Sequence, residues 1–253
     1  MLRFLNIASG SKGNATLIYN DDSLILLDMG VTKTLLLKGL RKIKRKYKDI
    51  NGVLITHAHY DHIKGLKTLG DDFPMVAGEG ALEPRPNRTV VHPGDEIHIG
   101  SFIVFPFRAS HDSTSTMGYL ISHKGEKLVY LTDTGVVLQS ALPYMVNAEY
   151  YIIESNHDYQ MLMQSNRPFS LKSRIAGDIG HLSNVDSALA IMSVMGDSTR
   201  KIYLAHLSEE CNTPSLAVRT YMRIFKERDI PFSRENIIPL RQYEMTLGGQ
   251  TEW

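Results

Sequence analysis

The stretch Thr56-His57-Ala58-His59-Tyr60-Asp61-His62 places three imidazoles and one carboxylate within six residues, directly after an apolar run at 52–56. In a turn at the end of a strand, the side chains of His57 and His59 point the same way. Asp61 and His62 then bend back from the loop and the start of a helix. Borderline-soft divalent ions prefer neutral imidazole together with carboxylate, so this set predicts two adjacent metal sites. Packing alone does not require such a set, which makes a purely structural polar turn the weaker interpretation.

Further candidate ligands follow other predicted strands. His111 comes after the strand predicted at 102–107, Asp133 ends the one at 128–132, and His206 ends the one at 201–205. Each residue alone is at least as typical of a structural position. All three nevertheless share one placement with His57, and the rims of α/β sheets are where ligand sites are built. The buried strand predicted at 24–27 similarly ends at Asp28.

These residues resemble the five motifs of the metallo-β-lactamase fold, for which the His-x-His-x-Asp-His pattern at 57–62 is highly specific. Segments at 8–15, 131–135, 154–158, 177–184 and 206–208 look like the YycJ (WalJ) group, and this resemblance covers nearly the whole chain. Members of that group are bacterial and phage hydrolases related to RNase Z and RNase J, and the group is associated with exonuclease activity on DNA. The resemblance implies an α/β fold, a four-layer αββα sandwich with a dinuclear site at one sheet edge.

The resemblance also implies a role for each residue. The expected ligands of the first metal are His57, His59 and His111. Those of the second are Asp61, His62 and His206, with Asp133 as the bridging carboxylate and Asp28 orienting a ligand histidine. His181 resembles the histidine that contacts the scissile phosphate or the leaving group, and Glu154 resembles its acidic partner. Asp133 stands where the β-lactamases proper place cysteine, and His59 where flavodiiron proteins place glutamate.

The predicted mechanism is in-line attack on phosphorus by a hydroxide that bridges two divalent ions and whose pKa those ions lower. Zinc is the default metal for this ligand set and manganese is the alternative. Asp61, His181 and Glu154 are the predicted catalytic residues. The candidate substrate-binding residues are Ser9, Ser11, Asn14, His181 and Arg174. Arg167 and Lys172 lie in the same segment as Arg174, and ordinary surface charge is the alternative interpretation for all three cations.

Composition limits the classes of partner. The 253 residues carry 28 Lys+Arg against 27 Asp+Glu, a net charge of +1 that excludes a whole-surface footprint for nucleic acid but not a local one. The helix predicted at 32–48 has a basic face that is either a solvated surface or a phosphate-tracking patch: Lys38, Arg41, Lys42, Lys44, Arg45, Lys46 and Lys48. The single cysteine, Cys211, cannot form an internal disulfide. No signal peptide or membrane span is predicted, so we expect a cytoplasmic protein whose one domain spans residues 1–253.

Apolar periodicity predicts strands and helices in alternation, which favours a layered α/β sandwich over an all-β fold. The predicted strands lie at 2–7, 15–19, 24–27, 52–56, 89–92, 96–99, 102–107, 117–122, 128–132, 150–154, 201–205 and 237–240. The predicted helices lie at 32–48, at 184–195 with Asn184 as N-cap, and at 214–228, with loop and helix at 134–144.

The function predicted from these features is a metal-dependent nuclease, exonuclease-like, acting on DNA or RNA. A phosphodiesterase that opens small cyclic phosphates is the first alternative, and it suits a short chain of near-zero net charge. An ester, thioester or lactam hydrolase is the second, and a metal-binding module without turnover is the third. The basic face at 38–48 discriminates between them, because a polymer is favoured if this face flanks the site. A homodimer is left open.

Overall fold

The structure is a computed structural model that describes residues 1–71, 73–84 and 86–250. The strands, in chain order, are β1 Arg3–Ala8, β2 Ala15–Tyr19, β3 Leu24–Leu27, β4 Gly52–Ile55, β5 Met75–Gly78, β6 Arg88–Val91, β7 Ile97–Ile99, β8 Phe102–Arg108, β9 Met117–His123, β10 Glu126–Leu131, β11 Tyr150–Glu154, β12 Lys201–Ala205, β13 Ile237–Pro239 and β14 Thr246–Gly249. The helices are α1 Lys33–Lys42, α2 Tyr60–Ile63, α3 Leu142–Met145, α4 Tyr159–Gln164, α5 Phe169–Ile175, α6 Asn184–Val194 and α7 Pro214–Glu227.

The strands form two seven-stranded mixed sheets. The first has the spatial order β14-β1-β2-β3-β4-β5-β6 and the second the order β13-β12-β11-β10-β9-β8-β7. Strands β3 to β6 run parallel to one another, and so do β10 to β13. The carboxyl ends of parallel strands meet at one edge of a sheet, so the residues that follow β3, β4, β10, β11 and β12 are brought together.

Three apolar clusters hold the layers together. The inner cluster joins the sheets, with Leu54 of the first sheet and Ile152 of the second both fully buried. The outer face of the first sheet packs against α1 through Leu36, and the outer face of the second packs against α6 and α7 through Ile191 and Tyr221. Each sheet is therefore covered on both faces, which explains strands that are apolar throughout. The predicted αββα sandwich is confirmed.

The prediction of one long helix at 32–48 is wrong in its second half, because α1 ends at Lys42. Lys44 adopts a left-handed backbone with φ of 56°. The Arg45 guanidinium turns back and donates 2.6 Å hydrogen bonds to the carbonyls of Asn20 and Asp21. A separate 3₁₀ turn follows at Tyr47–Asp49. The predicted basic face is thus split between α1 and the turns after it.

Other predicted elements agree with the structure to within two residues, except for a few short ones. The N-cap of α6 is Ser183 rather than the predicted Asn184, because the Ser183 hydroxyl accepts a hydrogen bond from the amide of Asp186. The sequence does not predict β5, β14, α4 and α5, each of seven residues or fewer, whereas α2 agrees with the helix start expected at Asp61 and His62. Such segments show too few periods for a pattern to emerge. Among the described residues, no helix has the length and apolar content needed to cross a bilayer.

The hydroxyl of Tyr119 on β9 crosses between the sheets and donates a 2.7 Å hydrogen bond to the carbonyl of Ile55 on β4, just before the histidine motif. Tyr119→Phe leaves this carbonyl without that partner in a buried place. We expect the free energy of unfolding to fall by about 1–3 kcal/mol in urea titrations. Tyr159→Phe, at an exposed ring, is the matched control and is expected to change it by less than about 0.5 kcal/mol. Equal stability of the two variants would contradict the inter-sheet role.

Candidate metal centre

The first group of donor atoms consists of His57, His59 and His111. His57 and His59 follow β4, and His111 follows β8 across the sandwich. One ring nitrogen of each lies within 4.8 Å of the others. The Nδ1 atom of His59 is 3.2 Å from Nε2 of His111. These are the three residues that the sequence predicts as ligands of one metal.

The second group consists of Asp61, His62 and His206. Asp61 and His62 lie on α2, and His206 directly follows β12. Asp61 Oδ2 lies 3.6 Å from Nε2 of His62 and 3.7 Å from Nε2 of His206. The three donor atoms again lie within 4.8 Å of one another. The structure thus assembles the second predicted ligand set as well.

Asp133 lies between the two groups and is buried, with 2% exposure. One carboxylate oxygen, Oδ2, is 3.1 Å from Nε2 of His62. The other, Oδ1, is 3.3 Å from His206 Nδ1 and 4.0 Å from His111 Nε2. A single carboxylate therefore reaches histidines of both groups, which is the arrangement required of a bridging ligand.

Three buried donor atoms of the predicted ligand residues make no hydrogen bond among the described residues. They are Nε2 of His57, Nε2 of His206 and Oδ2 of Asp133. Buried polar atoms are almost always hydrogen-bonded, so three orphaned atoms in one place require an explanation. Imidazole nitrogen and carboxylate oxygen are donors that divalent cations accept. The donor set therefore fits a pair of divalent cations, as the unpaired atoms would become ligand atoms.

The histidines are oriented from outside by hydrogen bonds to Nδ1. His62 Nδ1 donates to the Asp28 carboxylate at 2.7 Å, and His111 Nδ1 donates to the Gly180 carbonyl at 2.9 Å. His206 Nδ1 is 2.8 Å from Oε1 of Glu154. Fixing Nδ1 in this way selects the tautomer whose Nε2 carries the lone pair and faces the centre. The predicted orienting role of Asp28 matches this contact with His62.

The buried carboxylates favour positively charged groups in the centre. Burial lowers the pKa of His62, but Asp28 and Asp133 outweigh it and raise that pKa to about 10. Burial opposes ionisation of Asp133 as well, yet His206 and His62 hold its pKa well below the usual range. His57 differs, because burial and the neighbouring His62 keep its pKa well below normal. A neutral His57 offers its lone pair as a ligand.

Glu154 is fully buried at the end of β11 and joins two histidines. Its Oε1 accepts hydrogen bonds of 2.8 Å from Nδ1 of both His181 and His206. Its Oε2 accepts from the amides of Thr134 and Leu182 at 2.9 and 3.2 Å. Although burial opposes ionisation, the two histidines lower the Glu154 pKa to about 2. The predicted pair of Glu154 and His181 is therefore in contact. The His181 side chain is 21% exposed, and its Nε2 forms no hydrogen bond with the described residues.

Three residues of the centre have a left-handed backbone although none is glycine. The φ angles are 57° for Asp28, 56° for Asp133 and 52° for His206. Each lies at the point where a buried strand turns. This conformation costs about 1–3 kcal/mol for a residue with a side chain and persists where the surrounding structure enforces it. The turns place the three side chains at the shared edge.

Two residues that the sequence predicts as substrate contacts instead touch the donor residues of the metal centre. The Ser9 hydroxyl accepts a 2.8 Å hydrogen bond from the His206 amide. The Asn14 amide nitrogen lies 2.9 Å from Nε2 of His62 and 3.2 Å from Oδ2 of Asp61. Both side chains are buried, whereas Ser11 is exposed at the tip of the turn. Ser9 and Asn14 thus contact the donor residues, and Ser11 lies on the open surface.

Asp112 is a residue of this site that the sequence reading missed. Its carboxylate lies 3.3 Å from Nε2 of His111 and 3.7 Å from Nε2 of His59. It also accepts a 2.6 Å hydrogen bond from Nε of Arg174, whose side chain is 58% exposed. The only available signal was its place next to His111. The Arg174 side chain, predicted to contact substrate, is therefore held at the rim of the site by the Asp112 carboxylate.

The other cations and histidines singled out from the sequence lie outside the donor groups of the metal centre. Arg167 is ion-paired with Glu210 at 3.0 Å, and Lys172 donates to the Met163 carbonyl at 2.6 Å. The remaining histidines lie outside the donor groups found among the described residues: His92, His98, His123 and His157. Cys211 is buried in a small apolar cluster with Leu162 and Ile175.

Comparison with known proteins gives consistent matches. A family model described as the beta-lactamase superfamily domain matches residues 25–207. The chain is 35% identical to exodeoxyribonuclease YycJ of Bacillus anthracis over 238 residues, which is 90% of both chains. It is 33% identical to exodeoxyribonuclease WalJ of Streptococcus pneumoniae serotype 2 over 88% of both. Its fold is similar to that of the metallo-beta-lactamase fold protein YhfI from Bacillus subtilis, with a TM-score of 0.72, 14% identity, and 98% and 100% of the two chains covered.

Asp28→Asn tests the support of His62. Asparagine tolerates the left-handed backbone, so the turn is retained. Its amide, however, must present a donor either to the Thr56 amide or to His62 Nδ1, both of which now donate to the carboxylate. We expect zinc affinity, measured by competition with a chelator, to fall about 10- to 100-fold. Asp22→Asn, at an exposed acid, is the control. Unchanged affinity in Asp28→Asn would show that this contact does not support metal binding.

Proposed function

Because the chain belongs to the beta-lactamase superfamily and, within it, to the YycJ/WalJ group, we propose that it is a dinuclear metal-dependent exonuclease acting on DNA. The observation that carries this proposal is the pair of donor groups joined by Asp133, in which three buried ligand atoms have no hydrogen bond to any described residue. The curated relatives that support DNA as the substrate align over about nine-tenths of their length.

The residues define what each metal position would contain. His57, His59 and His111 would hold one cation, and Asp61, His62 and His206 the other, with Asp133 shared. Five imidazoles among these seven ligands favour zinc over the harder manganese ion. Two such cations, when bound, lower the pKa of a shared water and offset charge on the phosphate.

His181 is the proposed donor to the leaving oxygen. Its Nδ1 is committed to Glu154, so Nε2 is the atom available to substrate. Its ring centroid is 5.0 Å from that of His111 and 5.2 Å from that of His206, which places it between the two donor groups at the rim. Glu154 is held by two backbone amides and keeps the imidazole oriented. Burial lowers the pKa of His181, but the Glu154 carboxylate outweighs it and raises that pKa, which favours the imidazolium with a proton on both ring nitrogens. In this form His181 has the position of a general acid and a proton on Nε2 to donate.

Asp61→Ala removes one ligand of the second group without altering the first. We expect the metal content of the zinc-loaded protein, measured by mass spectrometry, to fall from two ions to one per chain. Cleavage of a labelled single-stranded oligonucleotide should fall by more than about 100-fold, because the two ions act together. Asp22→Ala is the control for loss of a carboxylate. Wild-type cleavage by Asp61→Ala would rule out the dinuclear mechanism.

His181→Ala tests the general acid separately from metal binding. We expect two metal ions to be retained and kcat for DNA to fall about 10²- to 10⁴-fold, because the departing sugar oxygen needs a proton. Hydrolysis of bis(p-nitrophenyl) phosphate should fall far less, since p-nitrophenolate leaves without protonation.

Equal losses on both substrates would contradict the role of His181. Parallel assays of a chromogenic cephalosporin and a cyclic nucleotide test the alternative hydrolases. Turnover of either one, with no cleavage of DNA by the wild-type protein, would overturn the proposed function.

A further inference from the structure

Residues 240–245, here called the crossover segment, join β13 of the second sheet to β14 of the first. Gln242 anchors this segment to the turn at 9–14: its Oε1 accepts from the Lys12 amide at 2.8 Å, and its Nε2 donates to the Gly13 carbonyl at 2.9 Å. The same turn holds His206 through Ser9 and His62 through Asn14. The crossover segment is therefore fixed to the loop that backs the metal centre.

Two clefts open on either side of the crossover segment. The first, of about 700 Å³, is bounded by Leu207 and Ser208, the residues that follow His206. The second, of about 750 Å³, is bounded by Lys38, Arg41 and Lys42 of α1. Gln242, Tyr243 and Glu244 line both clefts. Each has the size of a small-ligand site, and because they share these three residues they lie side by side along the crossover segment, a path from the residues that follow His206 to α1.

The α1 end of this path carries free positive charge. Lys38, Arg41 and Lys42 are exposed, and across residues 1–71, 73–84 and 86–250 none of them forms an ion pair. The acids near the path already have partners: Glu244 lies 3.7 Å from Arg241, and Glu209 lies 2.7 Å from Lys12. A chain with a net charge of only +1 thus concentrates three uncompensated cations beside one cleft.

Tyr243 stands on the wall between the clefts and is 72% exposed. The ammonium group of Lys12 lies 5.4 Å from the centroid of its ring, a cation–π contact that steadies the side chain. An exposed aromatic ring next to a row of cations is the combination with which proteins bind single-stranded nucleic acid, since bases stack on the ring and phosphates meet the cations.

We propose that these two clefts form a track for a single strand of nucleic acid that leads into the metal centre, with Tyr243 stacking a base and Lys38, Arg41 and Lys42 contacting phosphates. This inference rests on the proposed function, because it assigns the approach of the substrate to that same site. It resolves the alternatives for the basic patch in favour of phosphate binding for the three cations on α1.

Binding of a labelled single-stranded phosphorothioate oligonucleotide, which resists cleavage, tests the track without turnover. Tyr243→Ala is expected to weaken binding about 5- to 150-fold, and Tyr243→Phe to retain it, because stacking needs only the ring. In the triple variant Lys38→Ala, Arg41→Ala, Lys42→Ala, three lost phosphate contacts should make the slope of log affinity against log salt shallower by about 2. The control is Arg219→Ala, Lys226→Ala, Arg228→Ala on and just after α7, with the same charge change.

Hydrolysis gives the second measurement. For the α1 triple variant we expect the ratio of kcat/KM for the oligonucleotide to kcat/KM for bis(p-nitrophenyl) phosphate to fall at least about tenfold, and for the α7 variant to stay constant. An unchanged ratio together with an unchanged salt slope would overturn the track. So would equal weakening by the α7 variant, or binding of poly-glutamate in place of the oligonucleotide.

The two proposals fail in different ways. If the wild-type protein binds the oligonucleotide with the expected variant effects but cleaves no phosphodiester, the proposed function fails and the track stands. If it cleaves DNA while Tyr243→Ala and the α1 variant bind like wild type, the track fails and the proposed function stands. Duplex DNA with the same dependence on Tyr243 would overturn the single-strand assignment.

Discussion

The buried carboxylate of Asp133 is the constraint around which the centre is arranged. It lies within 4.0 Å of nitrogens from His62, His111, His181 and His206, so one anion faces four imidazoles. A buried anion is costly unless compensated, and one oxygen here has no hydrogen bond within the part of the chain that the structure describes. Compensation must come from positive charge at the centre. The same buried negative charge that would destabilise an apolar core therefore makes this place a suitable cation site.

Several strands of the sandwich end at one edge, and this brings the residues of the centre close to the Asp133 carboxylate. Asp28, Asp133 and His206 each bend into a left-handed backbone there, and the surrounding contacts enforce it. Gly30 shows how closely the turns pack, because a Cβ atom at this position would lie 1.6 Å from the Asp61 carbonyl oxygen. Strained strand ends and close packing between the turns thus act together. The rigid strands fix the positions of the donor residues, and the tight turns set the orientation of their side chains.

Most of the fold and the donor set could be predicted because both depend on local patterns. Apolar strands such as Tyr150–Glu154 and Lys201–Ala205 have the predicted bounds, and the acids and histidines that follow strands converge as expected. What could not be predicted depends on distant contacts. The Asp112–Arg174 pair joins residues 62 positions apart, and Ser9 reaches His206 across 197. No spacing rule relates such residues, because the sheet order that brings them together is a property of the whole chain.

The basic face predicted at 32–48 is a second feature whose surroundings could not be predicted from the sequence. Helical periodicity at 32–48 puts seven cations on one face, but the pattern does not say what that face looks onto. The structure breaks the helix after Lys42 and folds the crossover segment beside it, so that Lys38, Arg41 and Lys42 border one cleft. Net charge averages over the whole surface, whereas binding of a charged polymer depends on the potential along one path. A near-neutral protein can therefore present a strongly positive track, provided that acids such as Glu244 and Glu209 are paired with cations of their own.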